Sequence, residues 1–214
     1  MIPKLTKYSY IFPDPNKATK EGLVAWGGDL NPDRIMSAYL QGIFPWFNED
    51  DPILWWSPDP RLILYPKDIK ISKSLKKSIK KYEVKINTNF EEVIKNCRDV
   101  RVKKGESSWI FDDIIDAYKK LYENKLVMSF ETYYKDELIG GLYGVDLGDV
   151  FCGESMFSKR SDASKVALVA LCEFCEKNGY RFIDCQIPTD HLKSMGAVEI
   201  SREKFLTLLK QKNS

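Results

Sequence analysis

The tripeptide Asp184-Cys185-Gln186 lies in a run, Arg181 to Ile187, that reads as a β-strand. A period of two places Asp184 and Gln186 on one face and Cys185 on the other. A carboxylate and a carboxamide side by side are costly in an apolar core. Either the strand end reaches solvent, or the pair handles a nucleophile, with Asp184 orienting Gln186 or accepting a proton. Glu154 raises the same question in Gly153-Glu154-Ser155-Met156-Phe157, where an ionisable group interrupts an apolar strand. Trp109 and Tyr118, at the start of a helix and within it, are core residues or stacking platforms for a base, a contact worth roughly 1–3 kcal/mol. Lys73, Lys76, Lys77, Lys80 and Lys81 cover most of one short helix. Such a face is solvated, or it meets RNA phosphates without reading sequence. His191, Met156 and the Cys172/Cys175 pair fit packing or local capping better than chemistry, because a structural zinc site needs four ligands and the single histidine lies elsewhere.

These side chains need elements to hold them. Residues 11 to 60 are rich in Pro, Gly and Trp and form an irregular aromatic module, with one helix from Pro32 to Gln41 capped by Asn31 and followed by Gly42. The break at Pro58-Asp59-Pro60 divides a domain of residues 1–60 from one of 61–214. Beyond it come a strand from Arg61 to Tyr65, the lysine helix capped by Ser72, a strand from Tyr82 to Ile86, and helices over Phe90 to Cys97 and Asp112 to Glu123. Leu126 to Tyr134, Leu138 to Asp146 and Val150 to Phe157 form an antiparallel meander. The apolar helix Ala163 to Lys177, stopped by Asn178-Gly179, precedes the Arg181 to Ile187 strand and a short helix toward Met195.

This order is that of an α+β, acyltransferase-like (GNAT-like) mixed, mainly antiparallel sheet with flanking helices. The common version of that sheet binds coenzyme A through a glycine-rich cradle at the start of its helix. Glu154 to Asn178 contains no glycine, so the acyl donor should be something else.

The whole chain has 214 residues, 33 Lys+Arg against 31 Asp+Glu, and 43% hydrophobic residues, which excludes disordered, fibrous and collagen-like classes. Its net charge of +2 hides basic stretches at Lys67 to Lys81 and Arg98 to Lys104, and acidic ones at Glu49-Asp50-Asp51 and Asp112-Asp113. No apolar run reaches the ~18–20 residues of a membrane span, and no signal peptide opens the chain, so a cytoplasmic protein is expected. The five scattered cysteines fit reduced core thiols.

Longer strings carry a resemblance. Gly22-Leu23-Val24-Ala25-Trp26-Gly27-Gly28-Asp29-Leu30, Gly42-Ile43-Phe44-Pro45-Trp46-Phe47 and Asp51-Pro52-Ile53-Leu54-Trp55-Trp56-Ser57-Pro58-Asp59-Pro60-Arg61 closely resemble the amino-terminal part of leucyl/phenylalanyl-tRNA–protein transferases. The similarity continues through Ser108-Trp109-Ile110, Gly140-Gly141-Leu142-Tyr143-Gly144-Val145, Cys152-Gly153-Glu154-Ser155-Met156-Phe157-Ser158, Ala163-Ser164-Lys165 and Ile183-Asp184-Cys185-Gln186. It spans about residues 11 to 205.

The resemblance implies an enzyme that moves Leu or Phe, and less readily Met, from aminoacyl-tRNA to proteins with N-terminal Arg or Lys, marking them for degradation. It implies no cofactor, no metal, no membrane partner and a monomer. Asp184, Gln186 and Glu154 are then the catalytic group. Trp46, Trp109 and Tyr118 become substrate contacts, Trp109 under the terminal adenine. Leu142, Phe151, Met156, Leu168, Leu171 and Ile183 line an apolar pocket for the amino-acid side chain. Lys73, Lys76, Lys77 and Lys80 meet tRNA phosphates. Three departures stand out: Met128 where a histidine is common, Tyr133 where a tryptophan is common, and an end at Ser214 where longer members continue. The alternatives are another aminoacyl-tRNA-dependent peptidyl transferase, such as one acting on a cell-wall peptide, and a tRNA-binding module without catalysis.

Overall fold

The computed structural model describes residues 1–103, 105 and 107–211. Lys104 of the second basic stretch and residues 212–214 of the expected catalytic domain lie outside them.

Residues 1–60 are more regular than their composition suggests. Four short strands, β1 (Lys4–Leu5), β2 (Leu23–Gly27), β3 (Phe44–Pro45) and β4 (Leu54–Trp56), form a sheet in the order β1-β2-β4-β3. Strands this short give no readable alternation, which is why the sequence suggests an irregular module. Helix α1 (Pro32–Tyr39) starts as expected, with Asn31 Oδ1 accepting the Asp33 N–H at 2.9 Å and Pro32 in the first turn, where no N–H is needed. Gly42, at φ +75°, turns the chain out of the helix, and a Cβ there would meet Leu206 Cδ2 at 2.7 Å. That bare backbone lets the last helix dock.

The second sheet has seven strands: β5 (Arg61–Leu64), β6 (Glu83–Ile86), β7 (Val127–Tyr134), β8 (Glu137–Asp146), β9 (Val150–Ser158), β10 (Phe182–Gln186) and β11 (Val198–Ile200). Their order is β11-β5-β10-β9-β8-β7-β6, antiparallel throughout except for the parallel pair β9/β10. The meander forms as read from the sequence. Its first hairpin closes on Lys135 and Asp136 at φ +50° and +63°, the backbone that a two-residue turn between twisted strands requires.

Helices α2 (Lys73–Lys81), α5 (Ala163–Lys177) and α6 (Asp190–Ser194) accompany one face; α3 (Phe90–Lys103), α4 (Asp112–Glu123) and α7 (Arg202–Lys210) accompany the other. α3 runs six residues past the expected end at Cys97. Glu131, buried on β7, tethers its start by accepting from Ser129 Oγ at 2.6 Å and Thr88 Oγ1 at 3.0 Å, just before the helix. Met128, in place of the histidine, packs into the core beneath α5. A Cβ on Gly140 would meet the Ala163 Cβ at 2.5 Å, so that glycine lets α5 begin close against β8. All five cysteines are free thiols, four of them buried.

Two irregularities place the site. On β9 the partners of Tyr143 and Gly144 are Ser155 and Gly153, leaving Glu154 as an extra residue. On β10 the partners of Ile63 and Leu62 are Asp184 and Gln186, leaving Cys185 extra. Such bulges re-aim side chains and end pairing. The parallel pairing of β9 with β10 runs as far as Cys152–Asp184 and stops, so the strands part where both bulges occur.

Candidate active site

A recess of about 450 Å³ opens where β9 and β10 part. Leu142, Met156, Leu168, Leu171 and Ile183 form its apolar wall, contributed by β8, β9, α5 and β10. Trp109, half-buried, and Trp46, 44% exposed, also line it. Trp46 is held edge-on against Trp56, whose Nε1 donates to the Trp46 carbonyl at 2.6 Å. Glu154 and Gln186 also line the recess, with Arg101, Ser155, Thr189 and His191.

The period-two reading of β10 fails at one residue. Ile183 and Cys185 face the recess, while Asp184 points to the opposite side of the sheet, fully buried against Arg61. Gln186 reaches the recess only because its backbone is left-handed, at φ +62°. That conformation is strained for a residue with a Cβ and is held here by its surroundings. Its N–H donates to Asp184 Oδ1 at 3.0 Å, and its Nε2 donates to Glu154 Oε1 at 2.6 Å. Both ends of Gln186 are therefore fixed. A solvent-facing strand end does not describe this pair.

Arg61 was not among the candidates. Its Nε donates to Asp184 Oδ1 at 2.8 Å, its Nη2 to Oδ2 at 2.6 Å and its Nη1 to the Gly42 carbonyl at 3.2 Å. The Phe44 and Phe205 rings flank the guanidinium at 4.9 and 4.4 Å. Both carboxylate oxygens of Asp184 are thus engaged by Arg61. The only hint in the sequence is Arg61 closing the Pro58-Asp59-Pro60-Arg61 string.

Tyr118 is a second correction. It is fully buried, its ring meets Tyr143 edge-on at 5.8 Å, and it has no open face for a base. Its hydroxyl instead lies 3.0 Å from Glu154 Oε2, as donor, and 2.6 Å from the hydroxyl of Tyr39, which was likewise not singled out. Phe151 is a third: it sits in the core edge-on to Phe130 and is absent from the recess wall. Among the described residues, Glu154 is the one acid that lines the recess.

Burial pushes the Glu154 carboxyl up to about 7. Tyr39, Tyr118 and Gln186 work against that rise, and the charge of Asp184 adds to it. Burial likewise raises the Tyr39 and Tyr118 hydroxyls well above their ordinary value, helped by the charge of Glu154. The chain Tyr39–Tyr118–Glu154–Gln186 suits either form of Glu154, since either hydroxyl of the tyrosine pair can be the donor. Lys73, Lys76, Lys77 and Lys80 of α2 are exposed, as is Lys81.

Residues 63–210 match the family model described as leucyl/phenylalanyl-tRNA protein transferase, and residues 28–59 match the model of its N-terminal domain. A leucyl/phenylalanyl-tRNA–protein transferase of Sulfurimonas denitrificans is 53% identical over 213 residues, covering 100% of this chain and 93% of that protein. One from Flavobacterium johnsoniae is 48% identical over 94% of this chain and 96% of its own length, and one from Syntrophobacter fumaroxidans 51% identical over 93% and 86%. Solved structures that superpose include an aminoglycoside acetyltransferase from an uncultured soil metagenomic sample, at TM-score 0.41 and 15% identity over 63% of this chain and 91% of that one. By its sequence over nearly its whole length, the chain belongs to the leucyl/phenylalanyl-tRNA–protein transferase family.

Proposed function

We propose that the chain takes leucine or phenylalanine, and methionine less readily, from its tRNA and joins it to the N-terminal Arg or Lys of an acceptor protein. It acts in the cytoplasm as a monomer, without metal or cofactor, and its products are marked for degradation. The observation that carries this reading is a mostly apolar recess lined by the Trp109 indole and by a carboxamide, Gln186, fixed at both ends by Asp184 and Glu154.

The reaction is aminolysis of an ester. The acceptor's amine nitrogen bonds to the ester carbonyl carbon, the bond from that carbon to the ribose oxygen breaks, and a proton passes from the amine to the ribose oxygen. An α-amino group has an ordinary pKa of ~7.7–8.0, so part of it is neutral at pH 7 and no strong base is required. Positioning then supplies much of the rate. The apolar wall holds the amino-acid side chain and Trp109 stacks on the terminal adenine. Gln186 Oε1 takes no hydrogen bond from the described residues and is available to the incoming amine. Asp184 is a positioning residue, acting through the Gln186 backbone. Ionised Glu154 adds the negative charge that favours a cationic acceptor, and the lysines of α2 meet phosphates along the acceptor stem.

Transfer of labelled Phe and Leu from charged tRNA to otherwise identical proteins beginning with Arg, Lys or Met tests the reading. Label is expected on the first two. Label on none of them, with the RNA still bound, leaves a binding module, and label on the Met protein alone removes the acceptor rule.

A further inference from the structure

Of the seven arginines, five are paired with an acid, as Arg61 is with Asp184, and Arg202 donates to the Ser57 carbonyl. Arg101, in the last turn of α3, makes no hydrogen bond or ion pair among the described residues, yet it lines the recess. Its charge is felt inside the protein. Burial raises the Cys97 thiol and the Tyr143 hydroxyl, and Arg101 works against that rise in both. The one acid of the recess wall, Glu154, is already taken by Tyr118 and Gln186. A guanidinium in a mostly apolar wall, without a partner among the described residues, is a place for an anion that the ligand must bring.

We infer that Arg101 binds the phosphate on the 5′ side of the carrier's terminal adenosine. This rests on the functional reading above. Trp109 and Arg101 line one recess, so a base stacked on the indole brings its own 5′-phosphate, the phosphate nearest to it in the chain, into the recess that holds Arg101. The planar fork of Arg can grip two phosphate oxygens, which a lysine cannot reproduce. Arg101 is thus a positioning residue: it fixes how far the RNA end enters, and so where the ester carbonyl stands relative to Gln186. The lysines of α2, exposed on a separate helix, act only as diffuse charge.

The test uses two stable amide analogues, 3′-phenylalanylamino-adenosine and its 5′-monophosphate, with wild-type protein, R101Q and R101K. In the wild type the phosphate should tighten binding about tenfold or more, as expected for a charge-assisted hydrogen bond. R101Q should lose that gain while binding the unphosphorylated analogue within about twofold of wild type, and R101K should recover only part of it. The salt dependence of tRNA binding should fall by about one phosphate contact in R101Q. A phosphate that adds nothing in the wild type, or equal weakening of both analogues by R101Q, overturns the inference alone. If the wild type binds neither analogue, the functional reading fails and the inference with it.

Discussion

Arg61 and Asp184, 123 residues apart, form a buried two-pronged pair at 2.8 and 2.6 Å that joins β5 to β10 beneath the recess. Breaking such a pair strands a charge. Asp184→Ala should therefore destabilise the protein by about 3–5 kcal/mol in urea unfolding, in addition to lowering transfer. The combination Arg61→Met with Asp184→Leu should regain most of that stability but not the activity, because the Gln186 N–H still lacks its acceptor. Restored transfer in the double variant would separate Asp184 from the chemistry.

Gln186 separates stability from activity in the other direction. Glycine tolerates φ +62° without strain, which offsets its greater freedom in the unfolded chain. Gln186→Gly should leave the melting temperature nearly unchanged and reduce single-turnover transfer about 10²-fold or more, with tRNA affinity unaltered. A variant that loses RNA binding in parallel would place Gln186 in recognition.

The carboxyl of Glu154, raised from 4.5 to about 7, links folding to pH. Between those values the folded protein holds a proton that the unfolded chain has released, so stability from this group is present below about pH 4.5 and is lost as pH rises toward 7. At 1.36 kcal/mol per unit the loss is on the order of 3 kcal/mol. Glu154→Gln has no such titration. The difference in unfolding free energy, wild type minus variant, should fall by about that amount from pH 4.5 to 7.5, and a flat difference would contradict the raised carboxyl.

On the proposed function, the recess wall selects the amino-acid side chain by size. Leu168→Phe adds bulk to the α5 side and should lower transfer of Phe more than of Leu, shifting their ratio by roughly 1–3 kcal/mol, or about 5- to 150-fold. Competition between the two charged tRNAs measures it, and an unchanged ratio would mean the side chain binds elsewhere.

Regular, local features were legible in the sequence: the meander, the limits of α5 and the Asn31 cap; the recess residues Leu142, Met156, Leu168, Leu171 and Ile183 were named only through the family resemblance. Features made by distant or irregular backbone were not. The Arg61–Asp184 pair has no local signature. One bulge and one left-handed residue put Asp184 and Gln186 on opposite faces where a period of two joins them. Tyr118 looks like a platform in sequence because burial is invisible there, whereas its ring is enclosed and only its hydroxyl reaches the site.

The central claim is that the recess receives an aminoacylated RNA end with its carbonyl beside Gln186. The direct measurement is a crystal structure of the protein with 3′-phenylalanylamino-adenosine bound. The account predicts the adenine against Trp109, the phenyl ring among Met156, Leu168 and Leu171, and the amide within hydrogen-bond reach of Gln186. An analogue bound outside the recess, or seated with its amide far from Gln186, would contradict it.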